Sequence, residues 1–430
     1  MKNTPLQIPQ AQSLHRLESS TDSLFLDSTK QLNQMPDSKF QTFTQYLDSK
    51  GIEYAPFDKE RMPKIFASIK SHIVFPKHII RILGTNGKGS TGRFITLGLM
   101  QQGFSVLHFS SPHLFCFNER FYKNGAHVSD EALQKAHTFL QQFTITKQAS
   151  YFEYTTLLAL VLAQDCTYFV CEAGLGGEFD STNILQTMTQ ISVFTPISYD
   201  HQEMLGDTIE SIATTKLKAM SSYNLIAPQR FTQTITIAQE IAHKRNAQLF
   251  YITHDETESI LLCPSMNAYA ANFAPFLRQN LAVAQKVLES LQIQVDYAHL
   301  APFDLPARAQ WIAPNILLDV GHNADGARCI LKIIGAKRVY LVYNTFLEKD
   351  VRSILDILKP IIDKLLIIPV THPRILPKAD LIRTCEDLGI EYEDFTQIQD
   401  KSEYVVFGSF SVIETFWRIW NARQTRDFHC

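Results

Sequence analysis

The stretch RILGTNGKGST, residues 81–91, reads as the turn between a β-strand and an α-helix, but its glycines are irregularly placed. In the phosphate-loop pattern G-x-x-x-x-G-K-[ST], the first glycine would fall at Ile82, and Gly89 separates Lys88 from Ser90. The physical logic survives this spacing. Gly84, Gly87 and Gly89 free the backbone to turn its N–H groups inward, with Thr85 and Asn86 between them, and to approach an anion closely. A helix starting near Ser90 adds the positive end of its dipole. Lys88 has the reach for terminal phosphates, and the Ser90 hydroxyl suits Mg²⁺. A plain glycine-rich turn with an exposed lysine would carry the same letters, so the neighbouring segments have to decide.

Working outward, HIIRILG predicts a strand, STGRFITLGLMQQG a helix ended by Gly103, and SVLHFSS a second strand. SDEALQKAHTFLQQF predicts a helix that begins at Ser129, and YTTLLALVLAQ a buried helix. TYFVCEAG and QISVFTPI are apolar runs of the sort that fill a parallel sheet. This alternation argues for a doubly wound α/β domain. After a helical stretch to about residue 292, the polar, Pro-containing segment DYAHLAPFDLPARA marks the expected boundary. Alternation then restarts, with NILLDVG, RVYLVYN, KLLIIPV and EYVVFGS as strands between helical stretches. The expected organisation is a polar extension over 1–38, a larger α/β domain over 39–298 and a smaller, Rossmann-like α/β domain over 299–430.

Bulk properties narrow the function. The 430 residues are 45% hydrophobic and 19% charged, a normal balance for a soluble globular chain. A net charge of −3 implies no bulk attraction to nucleic acid or an anionic membrane, so an anionic ligand needs a local site. The seven cysteines are scattered, without a C-x-x-C pair, which fits a reducing compartment. The first residues lack the apolar core of a signal peptide, and no run reaches the roughly 20 apolar residues of a membrane helix. The expectation is a cytoplasmic protein.

Two further segments raise the phosphate reading of the glycine loop. FVCEAGLGGEFDSTN puts Glu172 at the end of an apolar strand, before a Gly-x-Gly-Gly turn. Ligand chemistry in open α/β sheets collects at the carboxyl ends of strands. An acid there is often a cap or an ion pair; beside a phosphate loop it becomes a candidate metal ligand. FTPISYDHQEMLGDTIESIATTKLKAM supplies Asp200 and His201 after another strand, and Lys216 on a helix. Taken singly, His201 reads as a structural histidine and Lys216 as a surface lysine.

Together these segments resemble the Mur ligase superfamily of ATP-dependent amide-forming ligases, in its folylpolyglutamate synthase/dihydrofolate synthase branch. The resembling stretches are LGTNGKGST, SSPHLFCFNERFYKNGAHVSDE, YFEYTTLLA, EAGLGGEFDSTN, DHQEMLGDTIESIATTK, LPARAQWI, ILLDVGHNADGA and VFGSF, in the family's order from about residue 40 to 415. The resemblance implies an N-terminal ATPase domain of the P-loop type, and an enzyme that adds L-glutamate to dihydropteroate, and to reduced folates, through an acyl phosphate. It implies that Gly84, Thr85, Asn86, Gly87, Lys88, Gly89 and Ser90 cradle ATP. Asn280 falls near the adenine, and Arg308, Asp319 and His322 close over the nucleotide from the second domain. Ser90 and Glu172 would hold one Mg²⁺; Glu172, His201 and a carbamylated Lys216 would serve a second. Lys88, His201 and Lys216 are the implied catalytic residues. Phe152, Asp180 and Ser181 fall where the family contacts the pterin.

Two departures stand out. Lys218 competes with Lys216 for the carbamylated position, and spacing from the Asp-His pair favours Lys216. Many family members carry arginine where this chain has Glu178. A ligase of the UDP-muramyl branch is the nearest alternative, but no UDP-binding segment is recognisable ahead of Gly84. A P-loop switch or kinase is the alternative from another class, and it would show no amino-acid-dependent release of phosphate from ATP. The implied state is a monomer.

Overall fold

Strand-forming runs assemble into two sheets in the computed structural model, which describes residues 42–51, 58–399 and 402–424. The extension expected over 1–38 lies outside the described residues. The first sheet comprises β1 (His78–Leu83), β2 (Val106–Phe109), β3 (Phe121–Lys123), β4 (Ala126–His127), β5 (Tyr168–Glu172), β6 (Ile191–Phe194), β7 (Tyr223–Ile226) and β8 (Gln248–Tyr251). Their order is β4-β3-β2-β5-β1-β6-β7-β8. The strands from β2 to β8 in that order run parallel. β2, β5 and β6 are buried throughout and β1 along all but its first residue, which explains their near-continuous apolar sequences. A short antiparallel pair, β3 and β4, closes one edge.

The helix after the glycine loop spans Lys88–Gln101 and begins two residues before the expected Ser90, because Gly87 takes the N-cap in a left-handed conformation at φ 87°. Ser90 to Leu99 are all buried, so this helix is packed on every side rather than amphipathic. Its neighbour is the helix Pro275–Ser290. A Cβ at Gly98 would meet Leu288 Cδ1 at 2.5 Å, so the two helices pack closely here and a larger residue would have to push that side chain aside.

The second sheet comprises β9 (Gln310–Ala313), β10 (Ile316–Asp319), β11 (Val339–Tyr343), β12 (Ile362–Ile367), β13 (Tyr392–Asp394) and β14 (Tyr404–Phe407), ordered β13-β12-β11-β14-β10-β9. All but β9 are parallel. β14 comes last in the chain yet lies in the interior of the sheet, between β11 and β10. The α/β class and the two-sheet architecture match the sequence reading. Among the described residues, β3, β4, β7, β8, β9 and β13 are additional to it.

Candidate active site

Parallel register builds the floor of the site. Ile82 of β1 lies beside Glu172, the last residue of β5, while Leu83 lies beside Phe194, the last residue of β6. The glycine loop, Glu172 and the 195–201 loop therefore leave the sheet side by side, at the carboxyl ends of three adjacent strands. The strand order reverses here, and open α/β sheets bind ligands at such points. Thr85 and Asn86 donate their N–H groups to the Pro196 carbonyl at 2.9 and 3.2 Å, and Thr85 Oγ1 exchanges hydrogen bonds with Ser198. Those two amides are thus committed to the neighbouring loop. The N–H groups left for an anion are those opening the helix around Lys88 to Ser90, which have no intrahelical acceptor. Gly84, at φ 134°, admits no side chain, since a Cβ would collide with Thr195.

Charge is concentrated above this floor. Lys88 Nζ donates to Thr85 O at 3.1 Å and sits 3.7 Å from Glu172 Oε1. Glu172 is buried, and burial pushes its carboxyl up from the ordinary range while Lys88 opposes that shift. Its Oε2 accepts the Ser111 N–H at 3.3 Å and faces Gly89. A buried carboxylate with one lysine and one backbone donor wants a further cation, and the buried Ser90 hydroxyl opens the adjoining helix. This donor set fits Mg²⁺, which takes one or two carboxylates and leaves its other positions to water and phosphate oxygens. Among the described residues no group of three His, Cys, Asp or Glu side chains could hold a metal unaided.

His201 adopts φ 52°, ψ 40°, and burial lowers its imidazole to about 3, so it is neutral and free to donate a lone pair. Asp200 lies 3.7 Å away. Lys216, on the helix Ile209–Leu217, is buried and donates to Gly84 O at 3.0 Å, under the loop. The Gly-x-Gly-Gly turn seats this helix, since a Cβ at Gly177 would stand 2.7 Å from Lys216 Cα. Lys218 pairs instead with Glu178 at 2.9 Å, at a more exposed position. Of the two lysines, Lys216 is the one held beneath the glycine loop.

Burial, and then the charge of Lys88, lower the Lys216 amine from 10.5 to about 7. Between those values the unfolded lysine carries a proton that the folded one has released, so stability rises with pH through that window. The urea midpoint should climb between pH 7 and pH 9, and climb less in Lys216→Met. Parallel curves for the two proteins would place the Lys216 titration elsewhere.

The second domain contributes from above a cleft of about 1380 Å³. Arg308 lies within 5.1 Å of the Phe410 ring, and burial lowers its guanidinium while Asp319 and Glu172 favour the charge. Asp319 accepts the N–H groups of Gly321 and Ala309 at 2.7 and 2.8 Å. His322 Nε2 lies 3.3 Å from Asp200 Oδ2. Asn280 is buried against Gly87, and its Nδ2 is a donor with no hydrogen-bond partner among the described residues. An orphaned buried donor at the mouth of a phosphate loop points to a ligand.

At the far end of the cleft, Phe152 stacks near Phe109 with centroids 6.0 Å apart and closes over Gly174. Asp180 and Ser181 lie beside it, but both are drawn inward. Asp180 Oδ1 accepts from Thr182 N and Oγ1, Oδ2 accepts from Leu175 N, and Ser181 Oγ bonds Thr156 at 2.7 Å. Asp180 caps the turn Ser181–Met188 as well as lining the cleft. Lys349, which sequence reasoning passed over, reaches Asp200 from the second domain at 2.6 Å. Its signal was available: it follows the carboxyl end of β11, where loops of parallel sheets carry chemistry.

Among known proteins, the crystal structure of Helicobacter pylori folylpolyglutamate synthetase is 40% identical, with a TM-score of 0.70, and the match covers 88% of this chain and 98% of that one. Dihydrofolate synthase/folylpolyglutamate synthase of Haemophilus influenzae is 28% identical over 394 residues, covering 80% of this chain and 89% of that protein. An Escherichia coli structure in complex with DHPP and ADP shares the fold at 24% identity and a TM-score of 0.75, covering 89% and 99% of the two chains. No family model matches. No helix among the described residues is long and apolar enough to cross a membrane.

Proposed function

Because this chain belongs to the dihydrofolate synthase/folylpolyglutamate synthase family, we propose that it is an ATP-dependent ligase joining L-glutamate to 7,8-dihydropteroate and to reduced folates. The observation that carries this reading is one constellation. A glycine loop with Lys88, a buried Glu172 and the Asp200–His201 pair share one sheet edge, facing Arg308, Asp319 and His322 across the cleft.

The chemistry asks for such an arrangement. A carboxylate does not condense with an amine in water, because its oxygen is a poor leaving group. Transfer of the γ-phosphoryl group makes the acceptor an acyl phosphate, and the glutamate amine then displaces phosphate through a tetrahedral intermediate. Both steps gather anionic oxygens, so catalysis rests on positioned cations and donors. In this reading Lys88 and the amides opening its helix hold the β- and γ-phosphates, while Arg308 adds charge when the second domain is seated. Asn280 uses its unpaired amide toward the nucleotide, and Asp319 and His322 complete the nucleotide site. Phe152, Asp180 and Ser181 receive the pterin, the ring of Phe152 stacking and the Asp180 carboxylate accepting from the heterocycle's N–H groups.

Ser90 and Glu172 would hold one Mg²⁺, and Glu172, His201 and Lys216 would serve a second. When bound, these ions clamp phosphate and carboxylate oxygens and offset their charge. Lys216 is the candidate for carbamylation, since an amine near 7 is largely neutral at cellular pH and nucleophilic toward carbon dioxide. We place the enzyme in the cytoplasm.

The test is incorporation of labelled L-glutamate with ATP and Mg²⁺, offering dihydropteroate and tetrahydrofolate in separate tubes. Incorporation with both is expected. Incorporation with one alone removes the other activity, and with neither the reading falls.

A further inference from the structure

Inside the first sheet, away from the cleft, an arginine stands in the middle of an apolar strand. Arg81 of β1 is fully buried, with Cys171 of β5 on one side and Ser192 of β6 on the other. Arginine keeps its charge in proteins, and a charge out of water wants an acid partner. Among the described residues none bonds to it. Cys171 and Asp180 are near enough to favour the charge, but the Asp180 oxygens are taken by Thr182 and Leu175. The guanidinium makes one hydrogen bond, from Nη1 to the Ala219 carbonyl at 3.2 Å, while Nε and Nη2 have no partner among the described residues. An apolar residue would serve the strand better, so this arginine calls for a reason other than stability.

The carbonyl it holds has a particular place. Ala219 lies in the turn that ends the helix Ile209–Leu217, one turn beyond Lys216. Helix ends leave carbonyls without intrahelical donors and carry partial negative charge, which a cation offsets. Here side chains take these carbonyls in succession. Gln186 Nε2 donates to Lys218 O and Met220 O at 3.1 and 2.7 Å, Arg81 to Ala219 O, and Asn224 Nδ2 to Ser221 O at 2.8 Å. Arg245, which is exposed, adds a longer contact to Met220 O at 3.4 Å. Arg81 is the charged member of this set that is fully buried. The helix also holds the strand in return, since Lys216 Nζ donates to the carbonyl of Gly84, just beyond β1. Strand and helix therefore grip each other twice, Arg81 holding residue 219 and Lys216 holding residue 84.

The two grips are not equal. In the reading above, the Lys216 amine adds to carbon dioxide: its lone pair forms the C–N bond, one C=O pair moves onto oxygen, and a proton leaves to solvent. The resulting anion no longer has an ammonium to hold the Gly84 carbonyl. The Arg81 grip is untouched by that change. We propose that Arg81 is a positioning residue that caps the end of the Lys216 helix against β1, and so keeps the Lys216 nitrogen at its place under the glycine loop after Lys216 has let go of Gly84. Arg81 itself touches no reacting atom. The kinetic consequence rests on the ligase reading; the hold on the helix does not.

Arg81→Met keeps an unbranched apolar stem and removes the donors. In the full-length, ligand-free chain, hydrogen exchange at the Lys218, Ala219 and Met220 amides, which close the helix end, should quicken about tenfold. Arg245→Met should leave it native. The melting temperature of Arg81→Met should hold or rise, because a charge out of water is gone. In the ligase assay, turnover at low Mg²⁺ should fall about tenfold and the half-saturating Mg²⁺ rise by a similar factor, while the KM for ATP at saturating Mg²⁺ stays within about twofold. Native exchange at residues 218–220 overturns the proposal, and so does quickened exchange with the native response to Mg²⁺. A lowered melting temperature, with activity lost at an unchanged Mg²⁺ half-saturation, would make Arg81 a structural residue and overturns it equally. If the native protein ligates nothing, the ligase reading fails and the exchange still decides the hold.

Discussion

Lys88→Met should lower kcat/KM about 1000-fold, the upper range for removing one transition-state donor from a water-poor site, without unfolding the chain. Two losses combine. The γ-phosphoryl group loses the cation that stands over the loop. Glu172 loses its nearest positive charge, and burial already pushes that carboxyl up. A protonated Glu172 is no longer an anionic ligand, so the variant should also need more Mg²⁺. Folding should be spared, since Lys88 caps its own loop through one bond to Thr85 O and contributes no apolar core. Steady-state assay beside a thermal melt makes the comparison. Activity within tenfold of native, at an unchanged melting temperature, would remove Lys88 from the phosphates.

His201→Asn should cost on the order of 100-fold in turnover at low Mg²⁺, with partial recovery as Mg²⁺ is raised. Asparagine is the informative replacement. The backbone at residue 201 is left-handed, a conformation that asparagine tolerates and alanine resists, so strain does not contaminate the result. The imidazole is held neutral near 3 by burial, which suits a ligand and disqualifies it as a cation for phosphate. Turnover followed against Mg²⁺ concentration decides the matter. A curve displaced only in height, with the native half-saturation, would mean that His201 does not hold the ion.

What could be read beforehand was local. Glycines at 84, 87 and 89, an acid at the end of an apolar strand, and alternating apolar runs all carry their meaning within a few residues, and the parallel sheets follow from them. The rest depended on partners far away in sequence. Asp200 and Lys349 are separated by 149 positions, and alone each looks like a solvated charge. Arg93 lies in the middle of a helix that should be apolar, and it makes sense only beside Asp304, His108 and Tyr122. Asp180 fits a pterin contact by position, yet its oxygens also serve Leu175 and Thr182, a demand that spacing cannot reveal. Most of the missed strands were short or half-exposed: β4 has two residues, β3 and β13 have three, and β8 is not fully buried at any position, whereas β7 is as long as β2 and largely buried.

The place of β14 within the second sheet bears on how the chain is made. During synthesis the first domain has all its strands once residue 251 emerges, and its last packing residues by 304. The second sheet cannot close until residues 404–407 arrive, because β11 and β10 meet only through β14. A nascent chain therefore carries a finished ATP-binding half beside two open, apolar strand edges, which are templates for pairing with other chains. Any product of premature termination before residue 404 keeps those edges for good. Such fragments are liabilities for aggregation and early clients for chaperones and proteases, whatever their capacity to bind nucleotide.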